Sequence, residues 1–285
     1  VKVSCKINLS RTLFTKNPKT IRIINCDATS STSLYSIFKD SSNIETIEIK
    51  DLDVRNVTNM SWMFKGCSGA TTIDIANWNT SSVTGLSYAF YDCINVTALD
   101  LSSWDTSNVT YMSWMFNSCK GLTSLDVSHF DTSKVTNMYG MFANCIGLTS
   151  LDLSHLNTIN VTNMRSMFSR CTSLTSLDLS NFNTSKVTSM YDMFYNCTSI
   201  TSLDLSHLNT SNVTDMIEMF ANCTNLTSLD LSGFDMTNVT DTIHMFYKCG
   251  KLNTIRMVGC NQTTIDKIKS ALTDAGILNQ VTITT

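Results

Sequence analysis

Eight carboxylates fall on a single step of this chain: Glu48, Asp74, Asp100, Asp126, Asp152, Asp178, Asp204 and Asp230 follow one another at intervals of 26 residues. Eight cysteines keep the same step, at Cys67, Cys93, Cys119, Cys145, Cys171, Cys197, Cys223 and Cys249, and three of the 4 histidines share a third column at His129, His155 and His207. Aligned carboxylates favour hard cations or basic partners. Thiols can bridge or take soft metals, and imidazoles can ligate a metal or move protons. Which of these chemistries is available depends on the elements that carry the columns.

A strict period near 26 is the signature of a solenoid. The typical unit, LTSLDLSNFNTSKVTSMYDMFYNC, begins with an L-x-L whose alternation of apolar and polar residues predicts a short strand with one buried face. Its first apolar column runs from Ile21 through Ile47, Leu99 and Leu177 to Ile255 and Val281, its second from Ile23 to Ile283. Strands one period apart stack in parallel and in register, giving about eleven rungs. In the remainder of the unit, Val187, Met190, Met193, Phe194 and Cys197 have the spacing of one helical face, with Thr188 as its N-cap. Strand on one side and short helix on the other define an α/β solenoid, the leucine-rich-repeat horseshoe, with a parallel sheet on the concave side and helices on the convex side.

The array occupies residues 41–257 within one continuous domain. Residues 1–40 form an N-terminal cap that holds the only proline, Pro18. Residues 258–285 form a C-terminal cap, in which TTIDKIKSALTDAG predicts a helix over 264–275 stopped by Gly276, and 281–283 supply the last strand. A net charge of -3 offers no footprint for nucleic acid. No apolar run has the length of a membrane span, and VKVSCKINLS lacks the form of a signal peptide, so any signal or anchor is expected outside this segment.

Packing absorbs most columns. Equivalent cysteines on successive rungs stand about 5 Å apart, too far for a disulfide, and read as buried free thiols without cofactor; Cys5 and Cys26, both in the N-terminal cap, leave a bridge open. The methionine columns, such as Met138 and Met141, read as core. Trp78, Trp104, Phe130 and Phe182 read as corner packing, with a binding ridge as the alternative. The histidines read as partly exposed turn residues, since Asn, Ser and Gly fill their column elsewhere. The N-V-T triplets at Asn56, Asn108, Asn160, Asn212 and Asn238 belong to the turn of the repeat. No nucleophile elbow or phosphate-binding loop is present, and an enzyme is not expected.

The acidic column is the one that packing does not explain. Alternation points Asp74, Asp100, Asp126, Asp152, Asp178, Asp204 and Asp230 to the concave face, where like charges about 5 Å apart repel. Either the flanking hydroxyls of Ser128, Ser154 and Ser180 stabilise them, with Arg22 and Arg256 closing the two ends of the column, or the row holds Ca²⁺ at Asp126, Asp152 and Asp178 or a cationic ligand. The small polar lining suits a glycan, a basic peptide or a cation.

The strings SLDLSHFDTSKVTNMYGMFANC and SLDLSHLNTSNVTDMIEMFANC resemble the 26-residue bacterial surface repeat of the BspA-like leucine-rich-repeat proteins, a domain of unknown function, over about residues 41–257. The resemblance implies an extracellular or cell-surface bacterial protein and supplies no catalytic residues. The expectation is a monomeric adhesion or binding module that recognises a host protein, a glycan or a neighbouring cell through its concave face. The alternative is a structural spacer that displays other domains and binds nothing.

Overall fold

Where V-T-x-M-x-x-M-F-x-x-C is expected to coil into a helix, the chain spends its backbone on its neighbours instead. The structure, a computed structural model, describes residues 18–285 and the backbone of Cys5–Lys6. The N–H groups of Met60, Trp62, Phe64 and Gly66 donate to the carbonyls of Gly85, Ser87, Ala89 and Tyr91 on the next rung, at 3.0, 2.9, 2.8 and 2.7 Å. Those of Met63, Lys65 and Cys67, in between, close turns onto the carbonyls of Met60, Trp62 and Phe64. An α-helix would use every one of these donors internally.

Two positions per rung also have positive φ, as at Trp62 (63°) and Gly66 (72°), Tyr88 (59°) and Asp92 (60°), and so on to His244 (55°) and Lys248 (60°). A right-handed helix cannot contain such residues. The rungs therefore hold no helix, and the premise of the horseshoe, a helical arm about 10 Å wide beside strands about 4.8 Å apart, is absent. The turn arm advances by one rung-to-rung hydrogen bond throughout, and the strand arm does so where its strands pair. The chain is a parallel β-solenoid of about 10 turns.

On the strand arm, β1 (Cys5–Lys6) pairs with β3 (Cys26–Asp27), β2 (Thr20–Ile24) with β4 (Thr46–Lys50), and β4 with β5 (Thr72–Asp74). A separate four-stranded sheet joins β6 (Ser202–Asp204), β7 (Ser228–Asp230), β8 (Thr254–Arg256) and β9 (Thr282–Thr284), all parallel. Ile21, Ile47 and Ile73 align as their spacing requires, and so do Leu203, Leu229 and Ile255. At the last step Ile283, not Val281, lies opposite Ile255. The inserted helix α1 (Gln262–Asp274) lengthens that step and shifts the register by two residues. It starts before the expected 264 because Asn261 is its cap, accepting from the Thr264 N–H at 2.8 Å. Gly276, at φ 72°, ends it as expected. Lys267 lies across the end of the coil, donating to the carbonyls of Met236 (2.8 Å), Thr237 (3.2 Å) and Val239 (2.7 Å).

Between the arms one continuous set of buried side chains runs from Ile21 to Ile277. Its spine is the phenylalanine column from Phe38 to Phe246, with successive rings 5.3 to 6.0 Å apart and near parallel. Such contacts add about 0.5–1.5 kcal/mol each beyond area burial. Each ladder cysteine is buried, and its Sγ donates to the carbonyl of the phenylalanine on the preceding rung, as in Cys145 to Phe116 at 3.1 Å. The methionines and the Trp78 column are buried too. The side chain of Cys5 and most of the connection before Pro18 lie outside the described residues, so the bridge question does too.

The turn geometry predicts an outcome opposite to that of a helix. Lys248 is exposed at positive φ, so Lys248→Gly is expected to raise unfolding stability by about 0.5–1 kcal/mol, because glycine removes the left-handed penalty at some entropic cost. In a helix the same change would lower it by about 0.7–1 kcal/mol. Urea unfolding followed by circular dichroism reads the sign.

Candidate functional site

The strand face carries the acidic column outward, as alternation requires: Asp100, Asp126, Asp152, Asp178 and Asp204 are exposed, and Asp74 and Asp230 are half-buried. From Asp100 to Asp230 each carboxylate accepts from the serine two residues on, and Asp74 accepts from the Ala76 N–H at 3.4 Å. The Ser128, Ser154 and Ser180 N–H groups donate to Asp126, Asp152 and Asp178 at 2.9 Å, and the Ser206 hydroxyl donates to Asp204 at 2.6 Å. Hydrogen bonds from Ser128, side chain then backbone, hold Asp126 below the usual carboxylate range, and those from Ser154 and Ser180, backbone first, do the same for Asp152 and Asp178.

The ends of the column are also neutralised by charge. Arg22 pairs with Glu48 at 3.0 Å, Lys50 with Asp74 at 2.7 Å, and Arg256 with Asp230 at 2.9 Å. Among the described residues no Lys or Arg pairs with Asp100, Asp126, Asp152 or Asp178; the imidazoles of His129, His155 and His207 are the nearby basic groups. His129 and His207 each place Nε2 2.6 Å from a carbonyl of the rung before, Leu101 and Leu179, an arrangement that requires Nε2–H as donor. The row does not converge. No group of three or more His, Cys, Asp or Glu among the described residues is arranged to hold a metal ion, because Asp126, Asp152 and Asp178 follow one another along a line rather than surround a point.

Strand pairing and countercharge do not coincide: Asp204 has no Lys or Arg partner among the described residues, yet its strand pairs with that of Asp230. Strand pairing covers β2, β4 and β5 and resumes at β6, and no strand is assigned among the rungs of Leu99, Leu125, Leu151 and Leu177. The turn arm keeps its bonds throughout, as in Phe116 N–H to Met141 O at 3.0 Å and Phe142 N–H to Met167 O at 3.0 Å. Along the central strand arm the backbone groups of the Leu125 and Leu151 rungs are left to water. Amide exchange of Leu125 and Leu151 is therefore expected to be faster than that of Phe116 and Phe142 and faster than that of Leu229, as read by hydrogen–deuterium exchange.

The turn arm carries a feature the repeat pattern did not announce. Tyr35, Trp62, Tyr88, Trp114 and Tyr139 form a continuous half-exposed ridge, with ring centroids 6.5, 4.6, 6.3 and 4.4 Å apart. Lys39 and Lys65 lie over the Trp62 ring at 4.8 and 4.7 Å, and Arg165 spans Tyr139 (5.8 Å) and Tyr191 (4.3 Å). Trp62, Tyr88 and Trp114 share the left-handed column, which continues as Gly140, Ser166, Asp192, Glu218 and His244. The signal in the sequence is a Trp or Tyr one or two places after the first apolar residue of the turn arm, as Trp62 after Met60 and Tyr88 after Leu86; the Trp78 column is buried, as its reading as corner packing expects. The N-V-T asparagines are committed to the turn as expected, with Asn108 and Asn160 Nδ2 donating to Ser81 and Ser133 carbonyls at 2.8 and 2.7 Å.

Beyond the aromatic part of this column Asp192 and Glu218 are stacked, with Asp192 Oδ1 buried and without a hydrogen bond. Burial, then the Glu218 charge, pushes the Asp192 carboxyl up to about 7 against the opposing pull of Arg165 and Arg170. The folded chain thus holds this proton more tightly than the unfolded one. The resulting stability is fully present below the ordinary value near 3.9 and is lost as pH rises toward about 7. The thermal midpoint is expected to fall between about pH 4 and pH 7, and Asp192→Asn is expected to flatten that part of the profile.

With the coil, its acidic face and its aromatic ridge described, the chain belongs to the family described as "Mycoplasma protein of unknown function, DUF285", whose profile matches residues 32–124, 85–203 and 173–284. It is a BspA-like leucine-rich-repeat protein. The chain matches no curated protein. Among solved structures it is similar to a leucine-rich repeat protein from Bacteroides ovatus (16% identity, 79% of this chain and 69% of that one, TM-score 0.39). It is also similar to the plant peptide hormone receptor RGFR1 in complex with RGF2 (16%, 91% and 50%, TM-score 0.32) and to a leucine-rich-repeat protein of Leptospira interrogans (9%, 99% and 100%, TM-score 0.23). At these TM-scores the likenesses carry no argument, and the fold rests on register and hydrogen bonds. No helix among the described residues is long and apolar enough to cross a membrane.

Proposed function

We propose that this chain is a cell-surface binding module of a bacterium that engages an extracellular protein, glycan or neighbouring cell through its strand face. The observation that supports this reading is the asymmetry within one column: Glu48, Asp74 and Asp230 are neutralised by the chain's own Arg22, Lys50 and Arg256, while Asp100, Asp126, Asp152, Asp178 and Asp204 are left without a Lys or Arg partner among the described residues. A charged strip of this kind selects basic partners and sets association rate and salt dependence more than affinity. It suits weak contacts repeated along the coil. The surface-repeat family supports the location.

The unbroken phenylalanine spine favours a second reading, a stiff spacer that binds nothing itself. One experiment separates the two. The chain and an Asp126→Asn, Asp152→Asn, Asp178→Asn variant are applied to an array of extracellular matrix proteins, basic peptides and glycans. Asparagine keeps the acceptor for the Ser128, Ser154 and Ser180 N–H groups, so the variant is expected to fold. Salt-sensitive binding by the parent that drops at least about tenfold in the variant is the expected result. Equal binding by both, or none by either, leaves the spacer.

A further inference from the structure

The column three residues after the acidic one divides along the coil as the carboxylates do. On the rungs of Glu48, Asp74 and Asp230, where Arg22, Lys50 and Arg256 supply countercharge, it holds Asp51, Asn77 and Gly233. Its histidines, His129, His155 and His207, all fall on rungs whose carboxylate, Asp126, Asp152 or Asp204, has no Lys or Arg partner among the described residues. Two of the rings reach back to the preceding rung, where His129 Nε2 lies 2.6 Å from the Leu101 carbonyl and His207 Nε2 2.6 Å from that of Leu179. His129 thereby acts on Asp100 and Asp126, His155 on Asp126 and Asp152, and His207 on Asp178. The Phe130 ring edge-on to His129, and Asn181, Asn183 and Asn209 around His207, are uncharged.

We infer that these histidines make the strand face a pH-gated site for a lysine- or arginine-rich peptide segment, held at neutral pH and released in mild acid. The inference rests on the strand face being the binding surface proposed above. The chain's own cations show what the column accepts: guanidinium groups at 3.0 and 2.9 Å from Glu48 and Asp230, and an ammonium at 2.7 Å from Asp74. Histidine is the side chain whose charge changes between about pH 5 and pH 8, whereas guanidinium and ammonium groups keep theirs. With neutral imidazoles, Asp100, Asp126, Asp152, Asp178 and Asp204 are five uncompensated charges; three imidazolium ions reduce the net to two. The carboxylates do not lose their charge first. Hydrogen bonds from Ser102, Ser128, Ser154 and Ser180 hold Asp100, Asp126, Asp152 and Asp178 below the usual carboxylate range. In His129 and His207 Nε2–H is the donor to a carbonyl in both charge states, so the added proton goes to Nδ1 and the ring keeps its place. Rungs about 4.8 Å apart lie well within a Debye length of about 10 Å, so the central row acts on a bound cation as a unit.

The test is fluorescence anisotropy of a fluorescein-labelled deca-lysine peptide titrated with the chain at about pH 7.5 and about pH 5.5, at one low ionic strength. The parent is expected to bind at the higher pH and to lose at least about tenfold in affinity at the lower. In a His129→Asn, His155→Asn, His207→Asn variant that loss is expected to shrink to less than about twofold. Asparagine suits this column, since Asn181 occupies it and donates to the Ser154 carbonyl at 2.9 Å. Asp192 and His244 lie on the turn arm and are common to parent and variant, so they do not contribute to the difference. Circular dichroism at both pH values shows whether each chain is folded. A parent with the same affinity at both pH values, a variant that keeps the parent's loss, or a loss that accompanies unfolding overturns the inference and leaves the strand face as a binding surface. Absence of binding by the parent at the higher pH overturns the inference together with the selection of basic partners on which it rests.

Discussion

Everything in this protein depends on hydrogen bonds that leave one rung and end on the next. Each turn gives alternate N–H groups to the carbonyls of the following turn, and that commitment sets the advance per rung on the arm where the side-chain pattern suggested a helix. Because the advance is common to every turn, identical residues must come into contact with their own kind: phenylalanine on phenylalanine, threonine on threonine, carboxylate on carboxylate. For apolar residues this is favourable and cumulative, since each rung buries the face its neighbour cannot bury alone. For carboxylates it is a cost that has to be met locally.

The two surface stripes are two outcomes of that constraint. On the strand face the cost is met by serine hydrogen bonds from Asp100 to Asp230 and by arginine or lysine at the two ends of the column. On the turn arm the left-handed positions project side chains outward, and the chain fills several of them with tryptophan and tyrosine, residues for which such a backbone is costly. Buried thiols fit the same logic. Burial pushes Cys67 up to about 12, and a carbonyl accepts its S–H, so the cysteine column is packing material and not a redox or metal site.

The sequence carried the period, the parallel register, the buried columns, the outward acidic row and the two basic residues that close it, because all of these follow from spacing and side-chain type. Val187, Met190, Met193, Phe194 and Cys197 turn inward as their spacing requires. The helix did not follow from them, since a run of tight turns returns every third or fourth side chain to the core just as a helix does. Periodicity reports which residues are buried and is silent on where the backbone N–H groups go; that was decided by neighbouring rungs, as were the shifted register at Ile283 and the contact between Tyr139 and Trp114 on adjacent turns. Composition and repeat determine what a rung contains, while the partner of each backbone donor is fixed only when a second rung is in place to accept it.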